Sequence, residues 1–512
     1  MGTLIIFLSS SILCLSFLSF FIKFLNKIWW TPIHIQSMLR SQGIKGPSYR
    51  FYHGNSKEII NMEYNASSNP MKLSNDQLFS TVLPHIYSWS KLYGKNFLYW
   101  HGPRAHIVVQ EPSMLKDIFN RDEIFTKGEP EDYVKKLLGD GIVTARGEKW
   151  LKLRKISNHT FHAESLKGMI PGMIASVEMM LERWNNHDGK EIEAYKEFKI
   201  LTSEIISRTA FGSSYLEGQH IFDMLIRLAV IVIRNKYKVR IPGIRNLVKT
   251  RDDTDSDKLE QGIHNSFIYM IKKREVAMTD QSGSFRNDFL GSLLKAYHEN
   301  NMAKKITVAN LIDECKTFYV AGHETTTSLL TWILLLLAIH PEWQEKAREE
   351  VLEIFGSQRL SSDGLTGLKI VSMIINETLR LYPPVVNVIR KVDGEVKLGE
   401  LIIPENTEID IPVIAIHHNP QIWGEDVYKF KPERFAEGVA KATNNNITAY
   451  LPFGLGPRNC VGSSFAITET KIALSMILQR YRFSLSPTYV HSPIPILTMC
   501  PQYGLQMVLH KL

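Results

Sequence analysis

Apolar residues recur at helical spacing along most of the chain. These periodic segments predict helices at residues 148–162, 166–186, 193–211, 257–278, 307–340, 342–355, 368–381 and 464–481. Shorter alternating stretches predict strands within residues 96–109 and 396–410. Polar stretches at residues 250–256 and 436–446 are expected to be loops. The pattern therefore predicts one domain that is mainly α with small β-sheets.

The first hydrophobic stretch stands apart because it carries no charge. Residues 3–22 are uncharged, and as a helix they would cross the roughly 30 Å core of a bilayer. Lys23 and Lys27 follow, with Trp29 and Trp30 at the expected interface, and positive charge after a span places the remaining chain in the cytoplasm. A cleaved signal peptide is the alternative, but its charges would precede a shorter apolar stretch. We therefore expect an uncleaved anchor.

The anchor divides the chain into three parts. We expect an anchor and its flank at residues 1–28, a linker at residues 29–50, and a single catalytic body at residues 51–512. Glycine and proline at residues 43–47 predict a stiff turn within the linker. The apolar run at residues 328–339 is too short to span a bilayer and is expected to form a buried helix.

Charge and cysteine content narrow the classes of partner. The 512 residues carry 60 Lys and Arg against 52 Asp and Glu, a net charge of +8 that fits an anionic membrane surface or an acidic protein. No dense basic run is present, so nucleic acid is not expected as a partner. The cysteines Cys14, Cys315, Cys460 and Cys500 form no CxxC pair, which argues against a zinc ribbon and a disulfide framework.

Cys460 has the most distinctive surroundings of the cysteines. Gly454 and Gly456 precede it and Gly462 follows, and glycines permit tight turns and close approach to a flat or bulky group. A predicted helix begins directly afterwards, and its N-terminal dipole would stabilise a thiolate. Arg458 adds a nearby positive charge. The alternative is a tight turn that holds an incidental buried cysteine.

The spacing around this cysteine favours the first interpretation. The pattern F-x-x-G-x-R-x-C-x-G is matched by Phe453, Gly456, Arg458, Cys460 and Gly462, and it resembles the haem-thiolate loop of the cytochrome P450 family. The resemblance implies a cytochrome P450 fold behind a single N-terminal transmembrane helix. It also implies haem b with Cys460 as the axial iron ligand, Phe453 packed near the sulfur, and Arg458 paired with a haem propionate.

A second segment breaks local rules in the middle of a predicted helix. Gly322 costs about 1 kcal/mol relative to alanine, and Glu324 beside Thr325 is an expensive acid in an apolar helix. The segment resembles the P450 oxygen-binding groove. The resemblance implies that Gly322 lets the helix pass close to haem and that Glu324 and Thr325 relay protons to dioxygen. His323 is expected to point away. A buried helix with a packed glycine and a capped acid is the alternative.

Further motifs support the same resemblance. Trp150 and Arg154 match W-x-x-x-R, which implies a grip on a haem propionate, and Arg390 stands where the family often has another propionate-binding arginine. Glu377 and Arg380 match E-x-x-R on one helical face. By resemblance they form a buried structural network with Arg434, which lies in a P-E-R-F segment.

The resemblance implies a haem-thiolate monooxygenase that inserts one oxygen atom from O2 into a lipophilic small molecule such as a terpenoid, steroid or hormone. NADPH would supply electrons through NADPH-cytochrome P450 reductase, and the anchor would hold the enzyme in the endoplasmic reticulum membrane with a cytosolic body. The motifs resemble the plant clan that oxidises brassinosteroids, gibberellins and triterpenoids. Two alternatives are a P450-fold enzyme that rearranges or dehydrates peroxides and a non-enzymatic membrane haem protein. Substrate contacts are expected at residues 137–143, 211–237, 320–321, 385–388 and 494–499.

Overall fold

Helices dominate the computed structural model, which describes residues 2–238, 249–280, 288–302 and 304–512. The helices are α1 (Gly2–Leu25), α2 (Thr31–Ser41), α3 (Ser56–Ser67), α4 (Leu78–Val82), α5 (Pro84–Tyr93), α6 (Pro112–Asn120), α7 (Asp132–Leu138), α8 (Gly147–Thr160), α9 (Ala163–Trp184), α10 (Ala194–Ala210), α11 (Tyr215–Asn235), α12 (Arg251–Asp280), α13 (Phe289–Tyr297), α14 (Val308–Ile339), α15 (Pro341–Phe355), α16 (Ser362–Gly367), α17 (Lys369–Leu381), α18 (Val413–His417), α19 (Pro420–Trp423), α20 (Val439–Ala442) and α21 (Ser463–Arg480). The predicted mainly α fold is confirmed.

The strands form small sheets at the side of the helical body. They are β1 (Phe97–His101), β2 (Arg104–Val108), β3 (Phe125–Thr126), β4 (Glu191–Glu193), β5 (Val388–Val392), β6 (Val396–Leu398), β7 (Leu401–Ile403), β8 (Glu408–Ile411), β9 (Tyr481–Leu485), β10 (Pro493–Pro495), β11 (Met499–Pro501) and β12 (Gln506–Lys511). The largest sheet has the order β1-β2-β8-β5-β3. Its β2–β8 pair is parallel, with His106 opposite Glu408, and its other pairs are antiparallel. The sheet thus joins both predicted strand regions.

The N-terminal helix continues into the folded body without a break. α1 passes through a π-helical turn, Asn26–Trp30, directly into α2. Ile28 in this turn is buried, and the hydroxyl of Tyr49 donates a hydrogen bond to its backbone oxygen. Leu39 of α2 packs in the same hydrophobic cluster as strand residues of the large sheet. The stretch at residues 29–50, predicted as a linker, is therefore packed against the sheet.

In the part of the chain that the structure describes, two helices are long and apolar enough to cross a membrane, and they differ in burial. The segment that contains α1 is exposed along its most apolar window, whereas the corresponding window of α14 is mostly buried in the protein. The exposed helix fits a single-pass anchor. α14 is instead the central helix of the body and packs along α10, and the apolar run predicted to be a buried helix lies at its C-terminal end.

Most predicted helices lie close to observed ones, but the predicted loop at residues 250–256 is wrong. α12 begins at Arg251. The hydroxyl of Thr250 accepts a hydrogen bond from the backbone N–H of Asp253 at 3.2 Å, and the Asp253 carboxylate accepts one from the backbone N–H of Thr250 at 2.9 Å. This reciprocal cap satisfies free N–H groups at the helix start, so the polar stretch is stable as a first turn. The loop predicted at residues 436–446 also contains the short helix α20.

A buried ion-pair network joins α17 to the segment that leads toward Cys460. Arg380 donates to both carboxylate oxygens of Glu377 at 2.7 and 2.8 Å, and both side chains are inaccessible to solvent. Arg434 Nε lies 3.5 Å from Glu377 Oε1, and the backbone N–H of Lys431 donates to the same oxygen at 3.0 Å. The expected architectural network is present, and it fixes the chain that precedes the cysteine loop.

Candidate functional site

A cavity of about 310 Å³ lies among α8, α14, the start of α21 and the loop before it. Its lining includes the predicted site residues Trp150, Arg154, Gly322, Thr325, Arg390, Phe453, Arg458 and Cys460. Of the predicted site residues, Glu324 is absent from this lining. The structure therefore brings together side chains that lie more than 300 residues apart along the chain.

The loop before α21 presents Cys460 to the cavity. The backbone N–H of Cys460 donates to the backbone oxygen of Phe453 at 2.8 Å, which closes the loop. Gly454 and Gly456 have φ of +71° and +73°, a conformation that side chains rarely tolerate. A Cβ on Gly456 would lie 2.2 Å from the backbone oxygen of Phe119. Close packing against α6 therefore requires glycine at position 456.

Burial and nearby groups act on Cys460 in opposite directions. Burial raises the pKa of the Cys460 thiol above its ordinary value, although the backbone N–H of Gly462 and the charge of Arg154 act in the opposite direction. Desolvation thus outweighs the start of α21 and the nearby cation. In the protein without a bound metal, the cation that acts on the thiol is Arg154.

Arginine side chains surround the cavity on the α8 side. Arg458 lies 4.0 Å from the centre of the Trp150 ring, donates to the backbone oxygen of Ala145 at 2.7 Å, and lies 3.3 Å from a carboxylate oxygen of Asp122. Arg154 donates to the backbone and side-chain oxygens of Asn459, both at 2.5 Å. These contacts hold both guanidinium groups at the edge of the cavity, beside the cysteine loop.

Two further cations face the cavity with few partners of their own. The side chain of Arg390 is buried, and within the described residues its hydrogen bond is to the backbone oxygen of Ile389 at 3.1 Å. Lys127 also lines the cavity, where burial and the charges of Arg390 and Arg458 lower its pKa to about 7. Asp122 is the neighbouring carboxylate. Four cations therefore converge on a cavity edge that has too little negative charge to balance them.

Sequence reasoning missed Lys127 because no motif marks it. The residue follows β3 in the segment Phe-Thr-Lys-Gly, and its place beside the cavity comes from the pairing of β3 with β5. That pairing brings Lys127 next to Arg390, which lies on β5.

The groove in α14 has two faces with different surroundings. Thr325 lines the cavity, and its hydroxyl donates to the backbone oxygen of Ala321 at 2.8 Å. A Cβ on Gly322 would lie 2.8 Å from Cδ1 of Ile206 on α10. The missing side chain of Gly322 therefore admits Ile206, and both residues line the cavity.

Glu324 lies on the other side of α14, between α10 and the C-terminal strands. Its carboxylate is 3.5 Å from Nε2 of His323, and its backbone oxygen is 3.5 Å from the hydroxyl of Thr498. Burial by itself raises the pKa of Glu324, but His323 and the charge of Lys199 bring it below its ordinary value. Glu324 therefore favours the ionised form, whereas Thr325 faces the cavity.

Comparison with known proteins identifies the family. The family model for cytochrome P450 matches residues 80–508. The chain belongs to the cytochrome P450 family. Its relatives include Cytochrome P450 CYP749A22 of Panax ginseng, 57% identical over 99% of this chain and 97% of that protein. Cytochrome P450 734A1 of Arabidopsis thaliana is 41% identical over 96% and 94% of the two chains. The 11-oxo-beta-amyrin 30-oxidase of Glycyrrhiza uralensis is 40% identical over 95% and 94%.

Membership makes this protein a P450 enzyme and implies a haem-thiolate cofactor. The cavity residues fit such a group. Cys460 offers sulfur at the cavity wall, and the surplus of cations at the cavity edge suits a ligand that carries carboxylates. Burial raises the pKa of the Cys460 thiol in the protein alone, and a metal ion bound there supplies the positive charge that deprotonates a coordinating thiol.

Proposed function

We propose that this P450 inserts one oxygen atom from O2 into a C–H bond of a triterpenoid-like or steroid-like molecule. The observation that carries the proposal is the shared cavity, which combines Cys460, Thr325 and a largely apolar wall. The relative from Glycyrrhiza uralensis is named as an oxidase of 11-oxo-beta-amyrin, a triterpenoid. Electrons would come from NADPH through NADPH-cytochrome P450 reductase.

Haem b would bind with its iron on Cys460, and when bound it supplies the activation of O2. Phe453 would pack beside the sulfur. The propionate groups would be held by the cavity cations together with Trp150, whose ring supports Arg458. That set comprises Lys127, Arg154, Arg390 and Arg458.

Proton supply is assigned to the two faces of α14. The hydroxyl proton of Thr325 goes to Ala321, so its oxygen can accept a hydrogen bond from a water molecule at the cavity wall and order that water there. The side chain of Glu324 is 17% exposed, so it can exchange protons with solvent. We assign Glu324 as the group that takes up protons and Thr325 as the group that places them at the cavity wall.

The apolar part of the cavity is assigned to the substrate. Ile142, Val143, Ala321, Val385 and Val388 line it, and they belong to three of the predicted substrate segments, residues 137–143, 320–321 and 385–388. The predicted contacts at residues 211–237 and 494–499 do not line this cavity in the described part of the chain. The substrate is therefore positioned by aliphatic contacts, which favours a rigid hydrocarbon skeleton.

The anchor helix supports a membrane location for the proposed reaction. α1 fits a single span, and Lys23 at its C-terminal end favours a cytosolic body. We assign the protein to the endoplasmic reticulum membrane, where a lipophilic substrate and a membrane-bound reductase are both accessible.

The proposal is tested in microsomes that contain the full chain and NADPH-cytochrome P450 reductase. The carbon monoxide difference spectrum of the dithionite-reduced protein should show the strongly red-shifted Soret band of thiolate ligation. Cys460→Ala should abolish this band. The matched control is Cys315→Ala, which removes a buried thiol on α14 outside the cavity lining and should keep the band. An unchanged band in Cys460→Ala would exclude Cys460 as the ligand.

Turnover is then measured with 11-oxo-beta-amyrin, beta-amyrin and a brassinosteroid as probes. We expect a product one oxygen atom heavier than its substrate, formed only with NADPH. Conversion of a lipid hydroperoxide without NADPH would instead identify a rearranging enzyme. The thiolate spectrum without turnover of any probe would argue against the proposed substrate class.

A further inference from the structure

His323 is a buried histidine beside the proposed proton-supply residue, and nothing so far gives it a role. It lies on α14 between Gly322 and Glu324, and its side chain faces α10 and α11 rather than the cavity. The ring of Phe222 on α11 covers it edge-on at 5.5 Å. The imidazole is only 3% exposed, so its two nitrogens must find partners within the protein.

Hydroxyl groups surround Nδ1 of His323. The Thr202 hydroxyl lies 2.9 Å from Nδ1 and also 2.9 Å from the backbone oxygen of Phe198, so its single proton can go to either. Thr327 lies 2.7 Å from the same hydroxyl. Within the described residues, the Ser203 hydroxyl has Nδ1 of His323 as its hydrogen-bond partner, at 3.3 Å.

The carboxylate beside Nε2 indicates which nitrogen carries the proton. An ionised carboxylate only accepts hydrogen bonds, so Nε2 must carry a proton to face Glu324, and Nδ1 can then accept from Thr202 or Ser203. Nε2 is buried and has no other hydrogen-bond partner among the described residues, and Oε1 of Glu324 is 3.5 Å away. A buried N–H without an acceptor is costly, so the carboxylate of Glu324 is held toward it.

We propose that His323 is a positioning residue for Glu324: α10 clamps the imidazole through Nδ1, and Nε2–H fixes one carboxylate oxygen so that the other remains free to exchange protons with solvent. This inference rests on the proposed function, because it extends the role assigned to Glu324. The imidazole would act through Glu324 and would touch neither substrate nor cofactor.

The proposal predicts how Glu324 titrates, and its other neighbours must be separated from His323. Lys199 and Tyr195 on α10 and Cys500 on β11 are the other titratable groups that act on Glu324. The positive charge of Lys199 lowers the pKa of Glu324. Without His323, burial would be opposed chiefly by Lys199, so protonated Glu324 should appear at higher pH.

The test is infrared spectroscopy of the purified full chain in detergent, titrated across its stable pH range. Glu324→Gln identifies the carbonyl band of protonated Glu324 by its loss. In the unaltered protein, we expect this band only at the acidic end. In His323→Leu, which has no donor, the midpoint should rise by about one pH unit or more. His323→Gln retains an N–H donor near the position of Nε2 and should restore most of the original midpoint.

Two further variants keep the test decisive. Lys199→Met measures the contribution of the neighbouring charge and should raise the midpoint with His323 in place. Thr202→Val leaves the imidazole but removes the hydroxyl nearest to Nδ1, so it should raise the midpoint by less than His323→Leu. If His323→Leu does not fold, Thr202→Val decides alone. An unchanged midpoint in the folded His323→Leu or, failing that, in Thr202→Val overturns the proposal.

This titration needs neither substrate nor reductase. A failure of the proposed monooxygenase reaction would appear in the turnover assay, whereas a failure of the role of His323 would appear in the infrared midpoints. The carbon monoxide spectrum of each variant reports separately whether the cavity has kept its structure.

Discussion

Replacing Glu377 by glutamine removes the negative charge that pairs with Arg380 and one of the two that face Arg434, the other being Asp426. Arg380 is fully buried, and its two bonds to Glu377, at 2.7 and 2.8 Å, are its only contacts with a carboxylate in the described part of the chain. The amide of glutamine would have the same shape, but its NH2 group would face a guanidinium donor. One arginine charge would then be buried without compensation.

The size of the effect follows from this burial. Breaking a buried ion pair by removing one partner costs about 3–5 kcal/mol. Since each 1.36 kcal/mol is a factor of ten, the folding equilibrium should fall between about a hundredfold and a few thousandfold. The total stability of a folded domain is about 5–15 kcal/mol, so Glu377→Gln should lose a large fraction of it. The backbone N–H of Lys431 would also lose its charged acceptor.

The assay is urea unfolding of the full chain in detergent, followed by tryptophan fluorescence, with the carbon monoxide spectrum as a measure of intact sites. Glu164→Gln is the matched control, because it removes the same group from an exposed pair with Lys167 at 3.1 Å. We expect the control to unfold at the same urea concentration as the unaltered protein, since exposed ion pairs contribute little to the free energy of unfolding. Coincident unfolding curves for Glu377→Gln and Glu164→Gln would refute the reasoning.

Three smaller changes are also expected to have specific outcomes. Gly456→Ala should prevent formation of the thiolate spectrum, because the added Cβ would collide with a backbone oxygen at 2.2 Å. Gly168→Ala on α9, with open space around its Cβ and outside the cavity lining, should keep the spectrum. Lys127→Met should lose haem to haem-free myoglobin several-fold faster than the unaltered protein, and Lys127→Arg should lose it more slowly than Lys127→Met. Equal rates of haem loss in Lys127→Met and the unaltered protein would show that Lys127 does not hold the haem. Asp253→Ala should lower the free energy of unfolding by about 1 kcal/mol, because it removes the cap on α12. Thermal unfolding followed by circular dichroism measures this loss, with Asp255→Ala as the control. An equal effect of both variants would contradict the capping role.

The sequence was sufficient to predict the helices that bury one apolar face. The predicted helix at residues 193–211 is observed as Ala194–Ala210, because its apolar spacing and its Glu193 cap both act locally. The start of α12 was not predicted because polar composition resembles a loop. Its stability comes from a reciprocal hydrogen bond between Thr250 and Asp253 that composition does not reveal.

Motif spacing placed most of the candidate site, but it could not give the direction of each side chain. Gly322 lines the cavity, but the sequence could not show that its absent Cβ also makes room for Ile206 of α10. Burial around Cys460, which raises the pKa of its thiol, could not be weighed against the nearby positive charge from neighbouring residues in the sequence. Lys127 belongs to no motif and reaches the site through strand pairing, which depends on residues more than 260 positions away.

The helix that runs from α1 through the π-helical turn into α2 connects the anchor rigidly to the body. Trp29 in the turn packs against Tyr49 and Phe51 of the body, at ring-centre distances of 6.1 and 5.5 Å. Each residue of a helix turns the chain by about 100°, so inserting one alanine between α1 and this turn would rotate the whole body about the axis of α1 or force the packed turn apart. The continuous helix, rather than a flexible tether, thus sets the orientation of the body relative to its anchor.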